Sequence, residues 1–185
     1  MLKINFAPFP VLTTERLVLR QLKTEDENEV FTIRSNERVN KYIDRPKTNS
    51  IEDVRKFIHK INTGMNNNES VLWAISQKNN SRLIGSITLW KISKENYRAE
   101  IGYELHPEFH GKGIMQEAFK KVVEYGFQTL NLKTIVAFTH KNNETSKKLL
   151  EKNNFKIDYS LEEEKTEKEK EVTLIYSLRK NDIFK

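Results

Sequence analysis

One short stretch of the sequence combines two glycines with the start of a helical pattern. It spans residues 110–115 (HGKGIM) and leads into an amphipathic segment. Glycine permits positive φ and a close approach of the backbone to a ligand. The first N–H groups of a helix lack intrahelical acceptors and attract anions. The stretch therefore predicts a phosphate or pyrophosphate site, although an ordinary tight turn would also explain it.

Other phosphate-binding loops do not match this stretch. A Walker loop has four residues between its glycines and then Lys-Ser or Lys-Thr, whereas a single residue separates the glycines here. The dinucleotide fingerprint needs a third glycine and an acidic residue at the end of the next strand, and both are missing. His106 and His110 have the spacing of a helical zinc motif, but Pro107 lies between them in a predicted loop. We therefore expect no metal.

Composition limits the class of protein. With 185 residues, 37% hydrophobic and 31% charged, we expect a single domain over residues 1–185. There is no cysteine, no apolar run of about 20 residues and no signal-peptide pattern, so we expect a cytoplasmic protein with no membrane partner. The net charge of +6 favours anionic partners. Because no aromatic residues alternate with a basic stripe, we expect no nucleic-acid partner.

Apolar periodicity predicts alternating strands and helices around the glycine stretch. Thr24 and Ser50 have the pattern of helix N-caps. The charged residues 162–171 predict a solvated loop or hairpin tip. The expected fold class is α/β (α+β), with a central sheet and helices on both faces. Strands are predicted at residues 17–23, 71–77, 83–92, 98–106, 132–139, 155–159 and 172–178, and helices after residues 24 and 50 and at 115–126 and 146–153.

Four motifs follow one another along nearly the whole chain. They are TERLVLR at 14–20, LIGSI at 83–87, AEIGYEL at 99–105 with Pro107 and GKGIMQEA at 111–118, and NETS at 143–146 with LEK at 150–152 and Phe155. Their order and separation resemble the GNAT acetyltransferase superfamily and, within it, the Rim-type ribosomal-protein N-acetyltransferases.

Three residues bear on this resemblance individually. His110 stands where the superfamily usually has Gln or Arg. Met115, in place of Gly or Ala, is common in the Rim-type branch. Asn154 replaces the usual Gly before Phe155, and Asn tolerates the left-handed conformation that ends a helix.

The resemblance implies a GNAT fold that uses acetyl-CoA, with no metal. The sheet would be mixed and mostly antiparallel, with six to seven strands and a splay after the fourth. Loop amides would hold the pyrophosphate, and the exposed backbone beside residue 105 would pair with the pantetheine arm. An N–H near Leu105 or His106 would stabilise the oxyanion. Asn143 would bind the arm, or cap a helix instead. The implied cofactor-binding residues are Leu105, His106, His110, Gly111, Lys112, Gly113, Ile114, Met115 and Asn143.

Three residues are candidates for proton transfer. An amine must lose a proton, since a free lysine has a pKa near 10.4 and an α-amine near 8. Strand alternation places Glu100 and Glu104 on one face and Tyr103 on the other. Glu100 matches the catalytic glutamate of the histone-acetyltransferase branch, whereas Glu104 lies nearer the expected thioester; substrate binding or a solvated position is the alternative for each. Ser146 would protonate the departing thiolate, unless it is only a polar residue of the first helical turn.

The predicted function is transfer of acetyl from acetyl-CoA to a primary amine by direct attack. The acceptor would be a protein N-terminus or a small molecule, and the protein a monomer or homodimer. The alternative is a non-catalytic acyl-CoA-binding regulatory module of the same fold.

Overall fold

The structure is a computed structural model that describes residues 2, 4–164 and 172–183. Its strands are β1 (Leu12–Thr13), β2 (Leu17–Gln21), β3 (Val71–Gln77), β4 (Asn80–Ser93), β5 (Arg98–Leu105), β6 (Thr134–His140), β7 (Lys156–Ile157) and β8 (Thr173–Arg179). Its helices are α1 (Glu27–Arg34), α2 (Glu37–Asn40), α3 (Ile51–Asn66), α4 (Ile114–Gln128), α5 (Glu144–Lys152) and α6 (Lys180–Ile183).

The described strands form one eight-stranded sheet in the order β1-β2-β3-β4-β5-β6-β8-β7. Every neighbouring pair is antiparallel except β5 and β6, which are parallel. The predicted mixed, mostly antiparallel sheet is confirmed. The strand count is slightly higher than predicted, because β1 has only two residues and such a short strand leaves little alternation in the sequence.

Helices cover both faces of the sheet, as predicted. On one face, α4 and α5 pack over a large core that includes Trp73, Phe119 and Leu150. On the other face, α1 and α3 pack over a smaller cluster that includes Ile33 and Val54. Arg34, the last residue of α1, therefore belongs to the opposite side of the sheet from the glycine stretch that starts α4.

Several predicted boundaries change. Thr24 does not cap a helix: a 3-10 turn, Thr24–Asp26, precedes α1, and the Asp26 carboxylate accepts from the Lys23 N–H. The Arg20 guanidinium donates two hydrogen bonds to the same carboxylate, which stabilises this turn. The strand predicted at 155–159 shortens to β7 because a 3-10 turn begins at Tyr159. Most of the charged stretch, residues 165–171, lies outside the described residues.

Two predicted helix signals hold. Ser50 caps α3, and its hydroxyl accepts a hydrogen bond from the Asp53 N–H. In turn, the Asp53 carboxylate accepts a hydrogen bond from the Ser50 N–H. Asn154 has a φ of 64°, the left-handed conformation expected after α5.

Candidate active site

The two glycines of the predicted anion site both have left-handed backbone. Gly111 has a φ of 72° and Gly113, immediately before α4, a φ of 74°. A side chain at either position would strain the backbone. A Cβ on Gly111 would meet nothing within 4 Å, so its side of the loop is open. The conformation is the one that exposes successive N–H groups at the start of a helix.

These N–H groups are available to a ligand. Within residues 4–164, the N–H groups of Gly111, Lys112 and Gly113 donate to no other protein group. Those of Ile114 and Met115 belong to the first turn of α4 and have no intrahelical acceptor. The Ile114 side chain is buried in the core and the Met115 side chain packs against it, so these two residues offer only their backbone. The start of α4 can therefore hold a phosphate or pyrophosphate group.

Hydrogen bonds from Thr14 and Arg16, near the start of β2, hold this loop and the first turn of α4 in place. The Glu117 carboxylate accepts from the Thr14 hydroxyl, from the Arg16 N–H at 2.9 Å and from Arg16 Nε at 2.6 Å. Arg16 Nη1 also donates to the Lys112 carbonyl at 3.1 Å. Burial alone would raise the pKa of Glu117, but the hydrogen bonds from Thr14 and Arg16 lower it below its ordinary value. In the sequence Arg16 belongs only to a strand motif, and nothing in its spacing indicates that it contacts a residue 96 positions away.

His110 connects the loop to the end of β5. Its Nε2 atom lies 2.9 Å from the Leu105 carbonyl oxygen. The side chain thus acts as a positioning group on the protein, and ligand contact by the ring stays a prediction.

The predicted splay lies between β5 and β6. Their paired residues end at Glu100 and Val136, although both strands continue for several residues. The His106 N–H donates to the Ile84 carbonyl of β4 at 2.9 Å. Because antiparallel pairing alternates, Glu104, Gly102 and Glu100 also face β4 with their backbone groups.

It follows that the backbone of Tyr103 and Leu105 faces the gap between the splayed strands, whereas the Ile101 N–H belongs to the last bridge to β6. A hydrogen-bonding arm inserted there would pair with Tyr103 and Leu105 as an added strand. The expectation for the His106 N–H is corrected, because that donor is already used within the sheet.

On the α4 side of the gap, Tyr103 meets Ser146. The two hydroxyl oxygens lie 2.8 Å apart, and the Ser146 N–H donates to the Asn143 side chain, which caps α5. Burial raises the pKa of Tyr103 to about 12, against the smaller opposing effect of the Ser146 hydrogen bond. The tyrosine is therefore protonated at neutral pH. Strand parity indicated only that Tyr103 lies opposite the glutamates, so this partner of Ser146 could not be found from the sequence.

On the other side of β5, the two glutamates have different partners. Arg45 Nη1 lies 2.5 Å from Glu104 Oε2, and Arg34 Nη1 lies 3.5 Å from Oε1. Glu100 is buried and is the last residue of β5 paired with β6, with Lys91 Nζ 3.0 Å from its Oε2. Both glutamates lie on one side of the strand, and Glu104 forms ion pairs with two guanidinium groups.

Other parts of the described chain offer few competing sites. No described helix is long and apolar enough to cross a membrane. Residues 2, 4–164 and 172–183 contain no group of three or more His, Cys, Asp or Glu side chains arranged to hold a metal ion. A depression along the end of α4 is lined by Lys120, Phe127 and Ile183 among others. It shares no residue with the glycine loop (residues 110–115) or with the splay.

Comparison with known proteins agrees with this architecture. Residues 16–156 match the family described as "Acetyltransferase (GNAT) domain". The chain is 36% identical over 147 residues to YoaA, an uncharacterized N-acetyltransferase of Bacillus subtilis (strain 168), covering 80% of this chain and 83% of that one.

Solved structures show the same fold. A GNAT acetyltransferase from Bacillus anthracis superposes with a TM-score of 0.77 at 24% identity, over 93% of this chain and 99% of that one. RimL, a ribosomal L7/L12 alpha-N-protein acetyltransferase in complex with coenzyme A, gives 0.78 at 18% identity, over 92% and 98%. The chain thus belongs to the GNAT family and is an acetyl-CoA-dependent acetyltransferase.

Proposed function

We propose that this enzyme transfers acetyl from acetyl-CoA to a primary amine by direct attack, with no covalent enzyme intermediate. The observation that carries the proposal is the open edge of β5. This edge runs from the N–H groups of the glycine loop, which have no acceptor among the described residues, to Glu100, the last residue paired with β6. Glu100 and Glu104 lie on one face of the strand, and Tyr103 and Ser146 lie on the other.

The geometry supports one placement of acetyl-CoA. The pyrophosphate would bind the N–H groups of residues 111–115 at the wide end of the splay. The pantetheine arm would then run into the gap and pair with Leu105, with Asn143 close to the arm on α5. Leu105 lies five positions along the strand from Glu100, about 16 Å at the usual rise per residue. The thioester would thus lie toward the narrow end, where the N–H of Tyr103 polarises its carbonyl.

The acceptor would approach from the face of β5 that carries Glu100 and Glu104, called here the acceptor side. We propose Glu100 as the general base, because it lies at the narrow end, whereas both oxygens of Glu104 are held by arginines. The amine nitrogen attacks the carbonyl carbon and its proton passes to Glu100, directly or through water. As the C–N bond forms and the C–S bond breaks, the thiolate takes a proton from Ser146, whose oxygen is within hydrogen-bonding distance of Tyr103. Solvent then returns a proton to the Ser146–Tyr103 pair, and Glu100 releases its proton to solvent.

For the acceptor we propose only a class of molecule, namely primary amines on protein N-termini or on small molecules. RimL acts on a ribosomal protein. A spermidine N(1)-acetyltransferase of Escherichia coli (strain K12) is 32% identical over 77 residues, 42% of this chain and 41% of that one. These relatives mark the two ends of the range.

A panel of amines, followed by release of free thiol, tests the proposal. We expect thiol release that depends on both acetyl-CoA and one class of amine, with an N-acetyl product identified by mass. Binding of acetyl-CoA without amine-dependent release across peptides, polyamines and amino acids would instead identify a non-catalytic acyl-CoA-binding module.

A further inference from the structure

Two arginines and one glutamate form a charged cluster on the acceptor side of β5. Arg34 is the last residue of α1, and Arg45 lies in the segment between α2 and α3 (residues 41–50). Both guanidinium groups reach Glu104, Arg45 at 2.5 Å and Arg34 at 3.5 Å. These three residues, the arginine cluster, come from separate parts of the chain and meet only at this strand.

The arginine cluster lies beside the cleft between the splayed strands β5 and β6, and not merely between the helices and the sheet. The segment that carries Arg45 also carries Tyr42, whose ring centroid is 5.2 Å from that of His140 on β6. One segment therefore contacts both strands of the splay, β5 through Arg45 and β6 through Tyr42. An acceptor that enters the cleft on this side must pass beside it.

The charges of the arginine cluster are not balanced. In the described part of the chain, the ion pairs of Arg34 and Arg45 all go to the single Glu104 carboxylate. The Arg34 Nε and Arg45 Nη2 atoms are withdrawn from solvent and have no hydrogen-bond partner. Such unmatched buried donors are unfavourable. By contrast, Arg20 and Asp26 form a matched pair, with two hydrogen bonds of 2.8 and 2.7 Å.

The titration of Arg34 agrees with a surplus of positive charge. Burial lowers its pKa, the nearby Arg45 lowers it further, and Glu104 only partly opposes these effects. An oxyanion brought to this place would neutralise the second guanidinium. Carboxylates and phosphates are the groups whose geometry matches guanidinium donors.

We infer that the acceptor amine belongs to a molecule that also carries a carboxylate or phosphate, which binds Arg34 and Arg45. The inference rests on the proposed function for the amine itself. Glu104 lies four positions along the strand from Glu100, so the oxyanion stands within about 13 Å of the amine nitrogen. A polyamine, whose charged groups are all cationic, is repelled by the same pair of arginines.

Matched peptides test this inference. The acceptors are tetrapeptide amides with a free N-terminus, in which Asp occupies each of the four positions in turn, compared with Asn at the same position. Phosphoserine against serine distinguishes phosphate from carboxylate. We expect kcat/KM to rise about tenfold or more for the anionic peptide at one position, mainly through KM. Equal values at all positions, or a preference for spermidine, would overturn the inference.

Variants assign the preference to the arginine cluster. Arg45→Met should reduce the anion preference severalfold, whereas Arg45→Lys, which keeps the charge but not the planar fork, should retain part of it. Arg38→Met, an exposed arginine of α2, is the matched control and should leave the ratio as in the parent. A preference that survives both Arg34→Met and Arg45→Met contradicts the proposed binding residues.

A binding measurement on the parent protein separates this inference from the proposed function. N-acetylated Asp and Asn peptides are added with coenzyme A, and the melting temperature is recorded. A larger shift with the Asp peptide supports an oxyanion site even if no amine is acetylated. If amines are acetylated but neither turnover nor binding distinguishes Asp from Asn, the proposed function stands and this inference falls.

Discussion

At the scale of single residues, the acceptor side holds two glutamates with different surroundings. Glu104 shares its two oxygens between Arg34 and Arg45, whereas Glu100 contacts Lys91, whose side chain is 60% exposed. An exposed lysine moves aside at little cost, whereas the two guanidinium groups on Glu104 are mostly buried.

The first prediction concerns Glu100→Gln. If Glu100 is the base, kcat should fall by about 10² or more, because a general base typically contributes 10²–10⁴. The loss should be partly recovered at high pH, where more of the amine is already neutral. Affinity for acetyl-CoA, measured by titration, should hardly change.

Glu104→Gln is its matched control on the same side of the strand. We expect this change to act mainly on the KM of the amine. If neither substitution slowed turnover even fivefold on a good acceptor, the glutamate base would be wrong, and positioning of a neutral amine would account for the rate.

The second prediction concerns the proton donor. Tyr103→Phe removes the hydroxyl that lies 2.8 Å from Ser146. We expect kcat to fall by about tenfold or more, with an unchanged KM for acetyl-CoA, because proton delivery to the thiolate is impaired. Ser146→Ala should produce a similar fall. A lower melting temperature with an unchanged kcat in Tyr103→Phe would mean that the pair is purely structural.

At the scale of elements, the glycine loop and the start of α4 act as one unit. Gly113 provides the left-handed residue that precedes the helix, and Glu117, one turn into α4, ties the helix to Thr14 and Arg16. The phosphate site therefore depends on local backbone and on a brace from the first strands.

The third prediction compares Gly113→Asp with Gly113→Asn. The two side chains have nearly the same size, and both residues visit left-handed backbone more readily than most, so they differ mainly in charge. Asp should weaken acetyl-CoA binding by at least about tenfold, and Asn by clearly less, measured by calorimetric titration. Equal affinity of Asp variant and parent would place the phosphates elsewhere.

The fourth prediction uses the pH dependence of Glu117. Hydrogen bonds hold its pKa below the ordinary value of 4.5 in the folded protein. Such a group stabilises the fold fully above its unfolded pKa, and the stabilisation is lost as pH falls through the lower folded value. Glu117→Gln should therefore melt below the parent at pH 7, and the difference should shrink below pH about 4.5. A difference that stays constant on acidification would show that the charge is unimportant.

At the scale of the whole molecule, the splay joins parts that are far apart in the sequence. Arg16 and Lys112 meet across 96 residues, and Arg45 and Glu104 across 59. A cosubstrate that lies between β5 and β6 and against α4 contacts the folded arrangement only, so its binding should stabilise the molecule as a whole.

The fifth prediction is a thermal shift. A ligand of the folded state at 100 times its Kd contributes about 2.7 kcal/mol, which for a chain of this length corresponds to a rise of roughly 5–10 °C in the melting temperature. Acetyl-CoA should produce such a rise. Pantetheine alone, which lacks the pyrophosphate, should produce little. No shift at millimolar acetyl-CoA with a folded sample would contradict the acetyl-CoA site.

The sequence by itself determined the family, the order of most elements and the glycine loop. It also placed Glu100 and Glu104 on one side of a strand. These features follow from local rules, because glycine spacing, helical period and strand alternation describe backbone within a few residues. For the same reason the two-residue strand β1 was not predicted, and β7 is shorter than predicted.

The tertiary structure alone decided which partners the site residues have. It showed that the His106 N–H is used within the sheet, that Tyr103 meets Ser146, and that two arginines share Glu104. Each of these contacts joins separate elements, and their spacing in the chain carries no regular period. They form because the sheet order brings distant residues to one strand, which no local pattern of residue types could have indicated.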